Sequence, residues 1–295
     1  MNIRILSTCL AMLCIVAAAS PALAADPLRV FVSIVPQRFF VKNIAGPSVE
    51  VDVMVRPGEN PATYEPAPGQ MAALDGAAAY FSVGVPFERA WLPRITSANP
   101  DMEVIDTTAG IEKKPMDSHD HEGGDHGHAH GKEGIPDPHV WLSPPLAKIM
   151  AENIGRGLAR LDPENAGRYE ANLADLLTRI DELHKDLSTT LSGLESRHFM
   201  VFHPSWGYFA DTYGLVQVPV EVEGKDPKPA RLAGLIKKAR NLDISTIFVQ
   251  PQFSRRNAEV IASAVGAEMA VADPLAADWE ANLREVAEKL RSAAR

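Results

Sequence analysis

The chain has 295 residues, 46% of them hydrophobic, with 29 Lys+Arg against 38 Asp+Glu and a formal net charge of -9. That length fits two domains of ordinary size. The acidic balance, with no basic stripe carrying interleaved aromatics, excludes a nucleic-acid partner.

Residues 1–24 read as a cleavable signal peptide. Arg4 gives a short positive start, Leu10 to Ala19 an apolar run, and Ala22-Leu23-Ala24 a small-x-small cleavage site. The run falls short of the roughly 20 residues a membrane span needs. The mature chain is expected to begin at Ala25 and to reside in the periplasm. Both cysteines, Cys9 and Cys14, lie in this segment, so the mature chain offers no disulfide and no thiolate ligand. A lipid anchor on Cys14 fits poorly, because Ala11-Met12-Leu13 lacks the small residue expected beside a modified cysteine.

Residues 25–161 read as an N-terminal lobe. Leu28–Ile34 is rich in β-branched and aromatic residues and predicts a buried strand. Pro36 opens a helix carrying Phe39, Phe40 and Ile44, stopped at Gly46-Pro47. Val49–Val55 alternates strictly, as a half-buried strand does. The proline-dense stretch 56–68 is a loop. A helix from Gly69, a strand over 79–83, a helix from Pro86 and a strand over 103–106 follow. Strands alternating with helices imply a mostly parallel sheet flanked by helices, with ligands beyond the carboxyl ends of the strands.

Residues 112–135 are low in complexity and hold His119, His121, His126, His128 and His130 among Asp, Glu and Gly. With so little apolar content the segment is expected to be a disordered surface loop. Its neutral imidazoles suit weak, fast binding of divalent metal.

A helix runs from Leu146 to about Leu161. Residues 162–195 read as one long connecting helix, with Asp162 as N-cap and Pro163 at the first helical position. Tyr169, Leu173, Leu176, Ile180, Leu183, Leu187, Leu191 and Leu194 form one apolar stripe. About thirty helical residues span roughly 45 Å. Such a helix bridges two lobes rigidly. A coiled-coil dimer is the competing reading, but the stripe is short and flanked by globular sequence, so a monomer is expected. His184 reads as a surface histidine.

Residues 196–295 repeat the βα order of the first lobe. Strands are expected over 198–202, 215–222, 246–250 and 268–272, with helices after Pro204 (capped by Gly214), over 230–240, from Ser254 to Val265 and from about Ala277.

His139 and His203 each end an apolar run beside a proline, one in each lobe. Asp273 stands at the carboxyl end of the last strand. Two neutral imidazoles and a carboxylate make a zinc set with a fourth position open. Trp141 and Trp206 would surround it with apolar surface. Each residue also has a plain structural reading: hydrogen-bonding histidines, a turn aspartate before Pro274 and core aromatics.

Gly58–Pro66, Asp137-Pro138-His139, Phe202-His203-Pro204, Tyr208–Gly214 and Asp273-Pro274-Leu275 occur in this order, together with the His-rich loop and the long helix. In this the whole mature chain resembles the zinc/manganese-binding solute-binding proteins of bacterial ABC transporters (cluster A-I). The resemblance implies an extracytoplasmic receptor that binds a divalent metal between two lobes and delivers it to a membrane permease. His203 at the third ligand position favours zinc over manganese or iron. One departure stands out: the family's first histidine ligand is here Ala62. The resemblance then leaves His139, His203 and Asp273 as ligands. Glu65, Tyr64, Glu59 or a histidine of the 112–135 loop would have to compensate.

A same-fold receptor with a different ligand is the alternative reading. A secreted metal-dependent hydrolase is a remote third, because no His-Glu-x-x-His occurs and Ser205 lacks a Gly-x-Ser-x-Gly elbow.

Overall fold

The structure is a computed structural model and describes residues 27–116, 135–221 and 227–294. The signal segment 1–24 and the five histidines between 119 and 130 lie outside the described residues.

The first lobe is built on β1 (Leu28–Ile34), β2 (Val49–Val55), β3 (Ala79–Ser82) and β4 (Glu103–Asp106), all parallel, in the order β2-β1-β3-β4. Parallel neighbours need crossovers. Here they are α1 (Val35–Ala45), α2 (Pro68–Ala73) and α3 (Pro86–Ala98). In the second lobe β5 (His198–Val201), β6 (Val216–Pro219), β7 (Thr246–Val249) and β8 (Glu268–Val271) repeat the pattern as β6-β5-β7-β8. The strand order reverses beside β1 in one sheet and beside β5 in the other. A crevice opens at such a point beyond the carboxyl ends of the strands.

Several elements differ from their sequence reading for local reasons. The alternation in β2 holds from Val49 to Val51, but Met54 and Val55 are both fully buried. The strand end is roofed by α2, from which Gln70 donates to the Met54 carbonyl at 2.9 Å. The connector is two helices, α4 (Pro144–Leu161) and α5 (Ala166–Thr190), separated by a tight turn at Pro163–Asn165. Asp162 does not cap α5. Its carboxylate instead accepts from Asn165 at 2.7 Å and from the Tyr169 hydroxyl at 2.5 Å. The stripe Tyr169, Leu176, Ile180, Leu183 and Leu187 is buried. It packs against α1, α4 and the terminal helix α9 (Trp279–Ala293) of the same chain. α6 (Gly207–Tyr213) ends at Gly214, whose φ of 65° is left-handed, as a helix-terminating glycine requires. α7 (Pro229–Asn241) and α8 (Arg256–Val265) cover the outer face of the second sheet.

One apolar core runs through both lobes and the connector, from Val30 and Phe40 through Ile154 and Ile180 to Phe209 and Leu283. The lobes are also tied by indole N–H groups. Trp141 Nε1 donates to the Pro274 carbonyl and Trp279 Nε1 donates to the Trp141 carbonyl, both at 2.7 Å. Phe40 packs on the Trp279 ring with centroids 5.0 Å apart.

At the switch point of the first sheet, the fully buried Gln37 joins three strand ends. Its Oε1 accepts from Ser33 N and Ile34 N, and its Nε2 donates to the Phe81 carbonyl and Thr107 Oγ1. Gln37→Ala would strip the Ser33 and Ile34 N–H groups of this acceptor, while Thr107 Oγ1 keeps its bond to the Ser82 carbonyl, at roughly 1–3 kcal/mol for each buried group left unpaired. We expect a loss of at least about 2 kcal/mol, read as a lower urea midpoint at unchanged slope.

Candidate metal site

His139 follows the turn Asp137-Pro138 and precedes a short 3-10 turn, Val140–Leu142. Its Nδ1 lies 2.7 Å from Asp137 Oδ1, which also accepts from the His139 backbone N–H at 3.0 Å. An ionised carboxylate can only accept, so Nδ1 carries the proton and Nε2 keeps its lone pair. Asp137 is 1% exposed and His139 is 8% exposed. Burial holds the His139 imidazole below its ordinary pKa, and nearby His203 adds to that, against the opposing pull of Asp137. The neutral form needed for metal binding is therefore favoured.

His203 lies at the switch point of the second sheet, two residues past β5. Its Nδ1 is 2.6 Å from Glu221 Oε1, just beyond β6. Gln250, just beyond β7, grips its backbone from both sides: Oε1 accepts from His203 N at 3.1 Å and Nε2 donates to His203 O at 2.7 Å. The ring stacks on Phe253 at 4.7 Å and 21°. The two histidines are thus built alike. Each donates its Nδ1 proton to a buried carboxylate, which fixes the tautomer and raises the basicity of Nε2.

The two rings meet with centroids 5.3 Å apart and planes at 69°. With Zn–N near 2.1 Å, each ring centre would lie about 3.2 Å from a shared ion. At a tetrahedral angle the two centres would be about 5.2 Å apart. The observed spacing therefore suits one zinc held by two Nε2 atoms. Trp141, with its ring centre 5.2 Å from that of His139, covers the pair on the first-lobe side.

Asp273 is not joined to the pair. Its Oδ1 accepts from Gln252 Nε2 at 2.8 Å and from Leu275 N at 2.9 Å. Gln252 is the neighbour of Phe253, so the carboxylate borders the His203 wall. Among the described residues no group of three or more His, Cys, Asp or Glu is arranged to hold a metal ion. Ala62 is exposed, its N–H turned to Asn60 Oδ1 at 2.9 Å. Of the residues considered as its substitutes, Glu59 accepts from Arg56 N at 2.8 Å and Tyr64 donates to Gln70 at 2.6 Å. Both are committed within their own loop, and Glu65 is exposed.

Glu221 and Gln250 escaped the sequence reading because they lie 18 and 47 residues from His203 and carry no local pattern. Asp137 was legible as a neighbour of His139, and the Asp-x-His spacing could have marked it as the proton acceptor. Trp206 is buried beneath α6 against Phe209. His184 is partly buried, with Nδ1 3.1 Å from the Tyr213 hydroxyl.

Residues 30–293 match the family described as zinc-uptake complex component A, periplasmic. A crystal structure of ZnuA superposes with a TM-score of 0.85 at 44% identity, covering 92% of this chain and 100% of that one. The high-affinity zinc uptake system protein ZnuA of Bacillus subtilis (strain 168) is 29% identical over 257 residues, 85% of this chain and 79% of its own. The zinc-binding protein AdcA of Streptococcus pyogenes serotype M3 is 28% identical over 269 residues, 87% of this chain. This chain spans about half of that relative, 52% of its length. Two four-stranded parallel sheets meeting at a pair of buttressed histidines, and a match from Val30 nearly to the last helix, lead to one assignment: the chain belongs to the periplasmic zinc-uptake component A family.

Proposed function

We propose that this protein captures a zinc ion between its two lobes, outside the cytoplasm, and delivers it to the membrane permease of an ABC transporter. The observation that carries the reading is the His139–His203 pair, oriented by Asp137 and Glu221 and spaced for one ion. Neutral imidazole donors suit zinc better than manganese, which prefers oxygen. In this reading His139 and His203 bind through Nε2, and Asp273 supplies a carboxylate oxygen. Water, Glu65 or a histidine of the 112–135 segment takes the remaining position that Ala62 leaves open. The ion is cargo and not a catalytic cofactor. The family is a transport component, not an enzyme family. No helix among the described residues is long and apolar enough to cross a membrane. Secretion through the 1–24 signal peptide and action as a monomer complete the proposal.

A same-fold receptor for another solute is the second reading, and the exposed methyl group at Ala62 is what favours it. Calorimetric titration of chelator-stripped protein with zinc, manganese and ferrous ion separates the two. We expect one zinc per chain, with the other ions weaker. Failure to bind zinc at any stoichiometry would favour the second reading.

His139→Ala and His203→Ala are each expected to weaken zinc by more than about 100-fold, beyond the 10–100-fold cost of losing an orienting partner. Unchanged one-to-one binding in both variants would overturn the site. Glu221→Gln keeps the shape but weakens the acceptor on His203. It should cost about tenfold in zinc affinity, measured by chelator competition, with little change in the unfolding midpoint of the metal-free protein.

A further inference from the structure

Residues 114–116 and 135–137, on either side of positions 117–134, form a short two-armed stem close to His139 in sequence. Pro115 and Pro136 face each other as an antiparallel bridge. Neither proline has an N–H to donate. Direct stem bonds come from the flanking residues: Met116 N donates to Ile135 O at 2.9 Å, and Asp137 N donates to Lys114 O at 2.8 Å.

Residues at a hydrogen-bonded position of an antiparallel pair, as Lys114 and Asp137 are, exchange two N–H···O bonds. Between Lys114 and Asp137 one bond is direct and the other is split open. The Tyr208 hydroxyl sits in the gap, accepting from Lys114 N at 3.0 Å and donating to Asp137 O at 3.1 Å. Burial pushes the Tyr208 phenol up to about 12, so it keeps the proton this donation needs. Lys114 Nζ lies over the Tyr208 ring at 5.0 Å and pairs with Asp211 at 2.6 Å, which holds the stem arm on α6. Tyr208 belongs to the second lobe, five residues past His203, whereas the stem belongs to the first.

Asp137 therefore has its backbone N–H and C=O fixed in the stem, while its carboxylate holds both the ring and the backbone of His139. Whatever positions the Asp137 backbone also positions the imidazole. We propose that Tyr208 is a cross-lobe positioning residue for the metal site, acting on His139 through Asp137. Resting on the zinc-binding function proposed above, this assigns the tyrosine a role in ligand orientation beyond the packing of α6.

The test is a double-mutant cycle of Tyr208→Phe and Asp137→Asn, read by zinc competition with a chromogenic chelator. Two further measurements use metal-free protein: the unfolding temperature, and the Nδ1–H resonance of His139 in long-range proton–nitrogen spectra. Tyr208→Phe keeps the ring and removes only the hydroxyl. We expect it to weaken zinc about tenfold and to broaden the His139 Nδ1–H signal through faster exchange. In the Asp137→Asn background the same change should cost less than about twofold, because the route to His139 is already cut. A lowered unfolding temperature with affinity within twofold and an intact Nδ1–H signal would reduce Tyr208 to packing and overturn the proposal, as would losses that simply multiply. If the unaltered protein binds no zinc, the functional reading fails instead. The Nδ1–H signal of the metal-free variants then decides the role of Tyr208 by itself.

Discussion

The two lobes are held in register by a pair of indole N–H bonds. Trp141 reaches across to the Pro274 carbonyl, and Trp279 reaches back to the Trp141 carbonyl. A buried indole N–H without an acceptor is costly, so each bond is strongly favoured once the rings are enclosed. Trp141 is two residues from His139, and Pro274 is next to Asp273. The same two bonds therefore tie together the segments of both lobes that carry the proposed ligands. Asn282 adds to this by donating to the Asp273 carbonyl at 2.8 Å. With α5 packed on α1, α4 and α9, the relative placement of the His139 and His203 segments is fixed by packing within the fold.

The electrostatics follow from that enclosure. An imidazole buried beside a second imidazole would lose its metal-binding geometry if either ring could rotate or exchange tautomers. Asp137 and Glu221 remove that freedom by accepting from Nδ1 on each ring. These carboxylates also place negative charge behind the donors, where it offsets the charge of an incoming divalent ion. Gln250 and Phe253 hold the backbone and the face of His203, while Trp141 covers His139.

Much of the architecture was legible in the sequence, because hydrophobic period and punctuation act locally. β1 spans the predicted Leu28–Ile34, Gly214 ends α6 where expected, and the βα alternation gives two parallel sheets. What failed was equally physical. Asp162 reads as a helix cap, but a tyrosine seven residues on competes for the same carboxylate and draws it away. The final residues of β2 lost their alternation because the following helix, α2, roofs them. His139 and His203 stood out as isolated histidines beside prolines. Their carboxylate partners differed in legibility: Asp137 is two residues away, whereas Glu221 is brought in only by the pairing of β5 with β6.

The stem at Pro115 and Pro136 has a further consequence. Residues 114–116 and 135–137 are bonded side by side, so the ends of the sequence that joins them are already held together. Lengthening such a span costs only about 0.6 kcal/mol for each doubling. The carboxylate that orients His139 is held by this stem and by Tyr208, and the one that orients His203 stands beyond the second sheet. The sequence between the two prolines can therefore change in length while the stem keeps its bonds, so the two stretches of chain are free to diverge at different rates.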